Sequence, residues 1–185
     1  MTAAIAWIIP LPGNVRVALG YLEFVHVLPD VPARSAIADG PAFMNEAVSW
    51  DGGIIPVFDA GRFNQGIEKT SPTTYYGIVR FRPNATSPQQ FGALKMTDIP
   101  QRTAVEDHMA CDLPESHAHW RPYCISCFKL DGHTVPVLDL ARLFSLTPLQ
   151  SRGAARAAAA GSDTGDGSGS RGPDPSDYTD FLATT

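Results

Sequence analysis

Cysteine is scarce in this chain: three among 185 residues, too few for the disulfide framework that staples small secreted domains. No apolar run approaches the roughly 20 residues that a transmembrane helix needs, so direct membrane insertion is not expected. The start, Met1-Thr2-Ala3-Ala4-Ile5-Ala6-Trp7-Ile8-Ile9-Pro10, is apolar but has no basic flank, and Pro10 and Pro12 interrupt it. It reads as a first strand rather than a secretion signal, and a cytoplasmic location is the expectation. Basic residues are also in the minority, 14 Lys and Arg against 19 Asp and Glu. That balance removes the electrostatic ground for expecting nucleic acid or an anionic membrane as partner. Long stretches of 3.6-residue apolar period are missing, which argues against long helices. Phosphate-binding glycine loops are missing too, because Gly52-Gly53 belongs to a predicted hairpin.

Apolar residues nearly vanish after Pro148: residues 151–176 are almost all Ala, Gly, Ser, Asp, Arg and Pro. Such a stretch cannot bury enough surface to offset its ordering entropy. The sequence therefore divides into a folded part, 1–148, and a flexible, disordered tail, 149–185. Near its end stands Asp177-Tyr178-Thr179-Asp180-Phe181-Leu182. Two readings stay open: a docking peptide that acts through Tyr178, Phe181 and Leu182, or a solvated terminus.

Within the folded part, strands are expected over 4–11 and 15–19, on either side of the turn triplet Pro12-Gly13-Asn14. Further strands are expected over 21–28, 75–82 and 90–95. Pro41-Ala42-Phe43-Met44 reads as one helical turn opened by proline.

The most informative feature is an internal repeat. Residues 51–63 and 131–143 superimpose with a shift of 80 positions: Asp51/Asp131, Gly52/Gly132, Pro56/Pro136, Val57/Val137, Asp59/Asp139 and Arg62/Arg142 are identical. Asp-Gly between apolar runs is a tight-hairpin signal, since Gly accepts a positive φ. The flanking strands are 47–50 and 54–58 in one copy, 123–130 and 134–138 in the other. Pro56 and Pro136 cannot donate to a ladder, so they are expected at an edge or a bulge. Asp59 and Asp139 are placed to cap short helices at 60–63 and 140–145. Two repeat units, around 41–64 and 121–145, predict a mostly β fold of two small five-stranded β-barrel subdomains with short helices, a closure that removes most exposed edges.

The run Pro41-Ala42-Phe43-Met44, then Val48-Ser49-Trp50-Asp51-Gly52, then Ile54-Ile55-Pro56-Val57-Phe58-Asp59 and Arg62-Phe63, resembles the signature of CheW-like domains. That signature is roughly Pro-x-Phe, a short spacer, Asn-Leu-Arg-Gly, and an apolar strand with Pro-Val and a closing Asp-Leu. The resemblance covers about residues 5–147. It implies two five-stranded barrels with neither cofactor nor catalysis. It also implies an adaptor of bacterial chemosensory arrays, in swimming chemotaxis or type IV pilus control. The implied partners are a methyl-accepting chemoreceptor and a CheA-like histidine kinase, met through its regulatory domain. Partner contacts are then expected at Phe24, His26, Phe43, Trp50, Asp51 and Gly52. The sequence departs from the signature at the turn, where Ser49-Trp50-Asp51-Gly52 replaces Asn-Leu-Arg-Gly. Asp51 inverts the charge of the family arginine, which leaves open a divergent interaction protein with other partners. For Trp50, interface anchor and cover of a barrel end are equally open readings.

A rival reading starts from Cys111, His117, His119, Cys124 and Cys127, which offer a small zinc-binding or thiol enzyme. Against zinc, residues three apart in the 123–130 strand point to opposite faces, and only one Cys-x-x-Cys is present. Against catalysis, neither Cys111 with His108 nor Cys124 with His117 is accompanied by an orienting acid or a glycine elbow. No metal ligand and no catalytic residue are therefore expected, and Asp59 and Asp139 are assigned to capping.

Overall fold

The computed structural model describes residues 3–29, 34–64 and 75–145. The strands there are β1 (Ala3–Leu11), β2 (Val15–Gly20), β3 (Phe24–Pro29), β4 (Arg34–Ala36), β5 (Glu46–Trp50), β6 (Gly53–Phe58), β7 (Tyr75–Phe81), β8 (Gln90–Met96), β9 (Gln101–Glu106), β10 (Cys124–Leu130) and β11 (His133–Leu138). Two single-turn helices, α1 (Ala60–Phe63) and α2 (Leu140–Phe144), follow β6 and β11. The segments Ala42–Met44, Asp107–Met109 and Glu115–Tyr123 are 3-10 helix. The mostly β expectation holds, and long helices are absent among the described residues.

The strands form two sheets, β3-β7-β8-β6-β5-β4 and β10-β11-β2-β1-β9. Read in reverse, β9-β1-β2-β11-β10 matches β3-β7-β8-β6-β5 strand for strand. The pairing sense also matches: antiparallel, antiparallel, parallel, antiparallel. The chain passes through the first set as β3, β5, β6, β7, β8, whose counterparts are β9, β10, β11, β1, β2, and it meets that second set as β1, β2, β9, β10, β11. The two units are thus circular permutations of one plan. The register gives the equivalences: Val57 pairs with Ala93 and Val137 with Ala18, while Ala93 and Ala18 pair in turn with Ile78 and Ile8.

Packing confirms the correspondence. One apolar cluster holds Val48, Ile55, Ile78 and Ala93; another holds Phe128, Val135, Ile8 and Ala18 at the equivalent positions. Each sheet curls around its own small cluster. A third and larger core joins the sheets, with Ile9, Leu11, Val17 and Leu19 meeting Phe58, Val79, Leu94, Met96, Trp120 and Phe144. Gly92 belongs to this seam: a Cβ there would come within 2.4 Å of the Phe144 ring.

Both Asp-Gly turns form as expected. Asp51 and Gly52 have φ of 47° and 72°, Asp131 and Gly132 of 51° and 78°. Positive φ at both central residues gives the hairpin turn that suits strand twist. The capping assignments also hold: Asp59 Oδ1 accepts from the Gly61 and Arg62 amides at 3.0 and 3.3 Å, and Asp139 Oδ1 accepts from the Arg142 amide at 3.0 Å. Pro56 and Pro136 need a correction, because β6 and β11 are interior strands. Each proline sits one residue before the parallel pairing begins, at Val57 and Val137. On that side the strand is locally an edge, so the missing N–H costs no ladder bond.

The five-stranded sheet is drawn toward closure by the bridge Ala110↔Phe128 and by the Cys111 amide donating to the Cys127 carbonyl at 3.1 Å. In the other sheet a sixth strand, β4, pairs with β5 beyond the expected five.

Candidate functional site

The β5–β6 hairpin carries three of the six predicted contact residues, Trp50, Asp51 and Gly52. Trp50 and Gly53 close its turn. Asp51 and Gly52 are exposed at its tip, where a Cβ on Gly52 would meet nothing within 4 Å. The Trp50 ring is half-buried, with one side on the Val48–Ile55 cluster. It meets the exposed His26 of β3 with ring centroids 5.4 Å apart. Two large apolar side chains extend from the same strands, Val25 at 41% exposure and Ile54 at 60%. The fold therefore brings together His26, Trp50, Asp51 and Gly52, although β3 and the hairpin are far apart in sequence. Trp50 covers the Val48–Ile55 cluster and keeps part of its ring exposed.

Phe24 and Phe43 lie elsewhere. Phe24 packs on Trp7 at 5.0 Å and on the joint core. Phe43 packs edge-on against Phe63 at 5.0 Å and Phe58 at 6.0 Å. Tyr178, Phe181 and Leu182 lie outside the described residues.

Beneath the hairpin is an ionic network that sequence reasoning missed. Lys95 of β8 is buried, and its Nζ donates to Asp59 Oδ2 at 2.9 Å and to Glu46 Oε1 at 3.0 Å. Arg62 lies 3.6 Å from Asp59 and 3.8 Å from Glu46. It also donates to Asn45 Oδ1 at 2.6 Å and to the Ala42 carbonyl at 3.4 Å. Asp59 is thus a helix cap and an ion-pair partner at once. The signal was a lone lysine inside an apolar strand, since a buried ammonium must be paired.

A cleft of about 750 Å³ opens between Phe43, Phe63, Asn64, His117, His119 and Trp120. His119 Nε2 shares a 2.5 Å hydrogen bond with Asn64 Oδ1. Burial, then the neighbouring His117, holds its imidazole below the ordinary histidine value.

The cysteines do not join these histidines. Cys111 Sγ faces Cys127 Sγ at 3.6 Å, and Cys124 Sγ lies 4.0 Å from the Arg121 carbonyl. His108 pairs with Glu106 at 3.2 Å, and His117 bonds Ser116 at 3.0 Å. Neither postulated thiol–imidazole pair is formed. Among the described residues no group of three or more His, Cys, Asp or Glu gathers as metal ligands, and no helix is long and apolar enough to cross a membrane.

No family model matches the chain, and no curated protein matches it by sequence. Solved structures do match. The crystal structure of the scaffolding protein TtCheW from Thermoanaerobacter tengcongensis superimposes with a TM-score of 0.58 at 17% identity, covering 75% of this chain and 90% of that one. The chain has a CheW-like fold.

Proposed function

We propose that this chain is a non-catalytic adaptor of a bacterial chemosensory complex, coupling a methyl-accepting receptor to a CheA-type histidine kinase through the kinase's regulatory domain. The observation that carries the reading is the two-unit CheW-like fold, with half-buried Trp50 and exposed His26 beside an open Asp51-Gly52 turn. Tryptophan is among the residues most enriched at interface hot spots. A cytoplasmic location goes with this role. The tail beyond residue 148 is proposed as a leash, with Tyr178, Phe181 and Leu182 as a docking motif.

Asp51 favours a second reading, an interaction protein that keeps the fold and has exchanged partners. A carboxylate facing groups that accept an arginine costs several kcal/mol at close range. A partner fitted to this chain therefore presents a basic residue to the turn. Recovery of partners from native cells, followed by titration with the purified kinase domain, tests the first reading; absence of the kinase from both overturns it. The variant Asp51→Arg separates the two. It should weaken binding to the native partner at least tenfold, about 1.4 kcal/mol, with the fold intact. Unchanged affinity would remove the turn from the interface.

A further inference from the structure

We propose that Cys111 and Cys127 form a redox-active dithiol, whose oxidation by a small-molecule disulfide staples the seam of the five-stranded sheet. The antiparallel bridge Ala110↔Phe128 sets the register and puts Cys111 directly opposite Cys127. Residues so paired have Cα atoms about 4.5–5.5 Å apart, inside the range a disulfide spans. The backbone has no distance to close. The sulfurs stand 3.6 Å apart and need only side-chain rotation to reach the bonding distance of about 2.05 Å. Cys124, the remaining thiol, points away toward the Arg121 carbonyl.

The two thiols are unequal. Cys111 is half-exposed, while Cys127 is buried and donates its S–H to the Cys111 carbonyl at 2.7 Å. Burial, then the contact with Cys111 and the charges of Cys124 and Asp112, pushes the Cys127 thiol up to about 12. Cys111 is therefore the entry point. Its thiolate attacks one sulfur of an oxidised glutathione molecule, forming a mixed disulfide and releasing one glutathione. Cys127 then attacks the Cys111 sulfur and releases the second. Two protein thiols become one disulfide, one small disulfide becomes two thiols, and the two cysteine protons pass to the departing thiolates. The second step is the slower one near neutral pH, because the Cys127 thiolate is scarce there.

The product encloses residues 112–126 in a loop, including the Glu115–Tyr123 segment that carries His117, His119 and Trp120 to the cleft. Oxidation makes the weakest closure in the sheet, one bridge and one amide bond, covalent.

The test uses the full reduced chain, incubated with oxidised glutathione at pH 8.5, quenched in acid, alkylated, and mapped by mass spectrometry. The expected product is lighter by two hydrogens and linked between Cys111 and Cys127, with Cys124 alkylated. Its Tm should rise by about 5–10 °C and fall back on reduction. Cys124→Ser should behave the same; Cys111→Ser and Cys127→Ser should show no internal link and no rise. A disulfide that includes Cys124, a chain left unmodified, or glutathione retained on Cys111 beside a free Cys127 would each overturn the proposal.

Discussion

Replacing Lys95 by methionine isolates the buried ionic network. Methionine matches the length of the lysine stem, so packing changes little and the charge is what is lost. The Lys95 side chain is 7% exposed, and the carboxylates of Asp59 and Glu46 are 12% and 21% exposed. At an effective dielectric near 20, each 3 Å pair is worth about 5 kcal/mol of attraction. In the intact trio much of that is offset by desolvation, so its net contribution is small. In Lys95→Met the desolvation cost of two carboxylates stays and the attraction goes. Breaking a buried pair in this way costs about 3–5 kcal/mol. Arg62 touches both carboxylates but is 44% exposed, so it compensates in part and the lower end, about 3 kcal/mol, applies. Urea denaturation should show this as a reduced midpoint with unchanged slope, and thermal melting as a fall of about 6–12 °C. The companion variant Lys95→Met/Asp59→Asn should recover at least about 1 kcal/mol, because Asn still accepts the cap bonds while one orphaned charge is gone. A single variant within about 0.5 kcal/mol of the parent, the range of an ordinary surface change, would refute the reasoning, as would a double variant no better than the single.

Further outcomes follow from the same structure. The two caps should differ: Asp139→Ala should cost about 1 kcal/mol, an ordinary cap, and Asp59→Ala about 3 kcal/mol, because it also leaves the buried Lys95 with Glu46 alone of its two carboxylate partners; parallel urea titrations decide. Gly92→Ala should destabilise by about 1–3 kcal/mol through overpacking against Phe144, and a second substitution that trims Phe144 to Leu should relieve part of it. Burial, more than its bond from the Gly20 amide, raises the Glu23 carboxyl above its ordinary value, with Asp139 adding to the effect. The folded chain therefore holds that proton more tightly than the unfolded one, and stability falls as pH rises through the window just above 4.5. Glu23→Gln should flatten that fall, standing level with the parent at pH 4 and gaining on it at pH 7; an unaltered pH profile would exclude the effect.

What was legible in the sequence was what the backbone itself demands. Asp51-Gly52 and Asp131-Gly132 announce turns because two consecutive positive φ angles are nearly reserved for such pairs. Asp59 and Asp139 announce helix starts because an amide two or three residues on needs an acceptor. Strand β4 was not legible: Arg34-Ser35-Ala36 is exposed at all three positions, and only pairing to β5 makes it a strand. Strand β9 has no strong alternation and is held by β1, about a hundred residues earlier in the chain. The permutation was hidden for a related reason. The repeat seen in sequence spans β5, β6 and α1 against β10, β11 and α2, while the equivalent strands that complete the two sheets follow the first copy, as β7 and β8, but precede the second by about a hundred residues, as β1 and β2. The proposed contact face was partly legible: Trp50, Asp51 and Gly52 stand together in sequence, and His26 joins them only because β3 curls toward β5. The Lys95 network and the Cys111–Cys127 pairing depend on registers that no local pattern encodes.

The duplication also shows which features the fold requires and which it leaves free. The register makes Gly20 the counterpart of Lys95, since Ala18 corresponds to Ala93. Both copies keep the turn, the cap and the four-residue barrel cluster. One copy seals its capping aspartate under an ammonium at 2.9 Å. The other has glycine there, with its amide donating at 2.6 Å to the carboxylate of Glu23. Asp139 then lies on the rim of a groove shared with Glu23, Leu22 and Ile125, the last two at 66% and 70% exposure. A cap needs only one carboxylate oxygen to hold its helix, and Asp139 gives Oδ1 to that task. At the second oxygen both copies keep the helix arginine, Arg62 at 3.6 Å and Arg142 at 3.5 Å, and they diverge in that Asp59 Oδ2 also meets the buried Lys95. The fold therefore constrains the half of each aspartate that faces its helix and leaves the other half to the surroundings, so sequence identity at Asp59 and Asp139 does not mean identity of role.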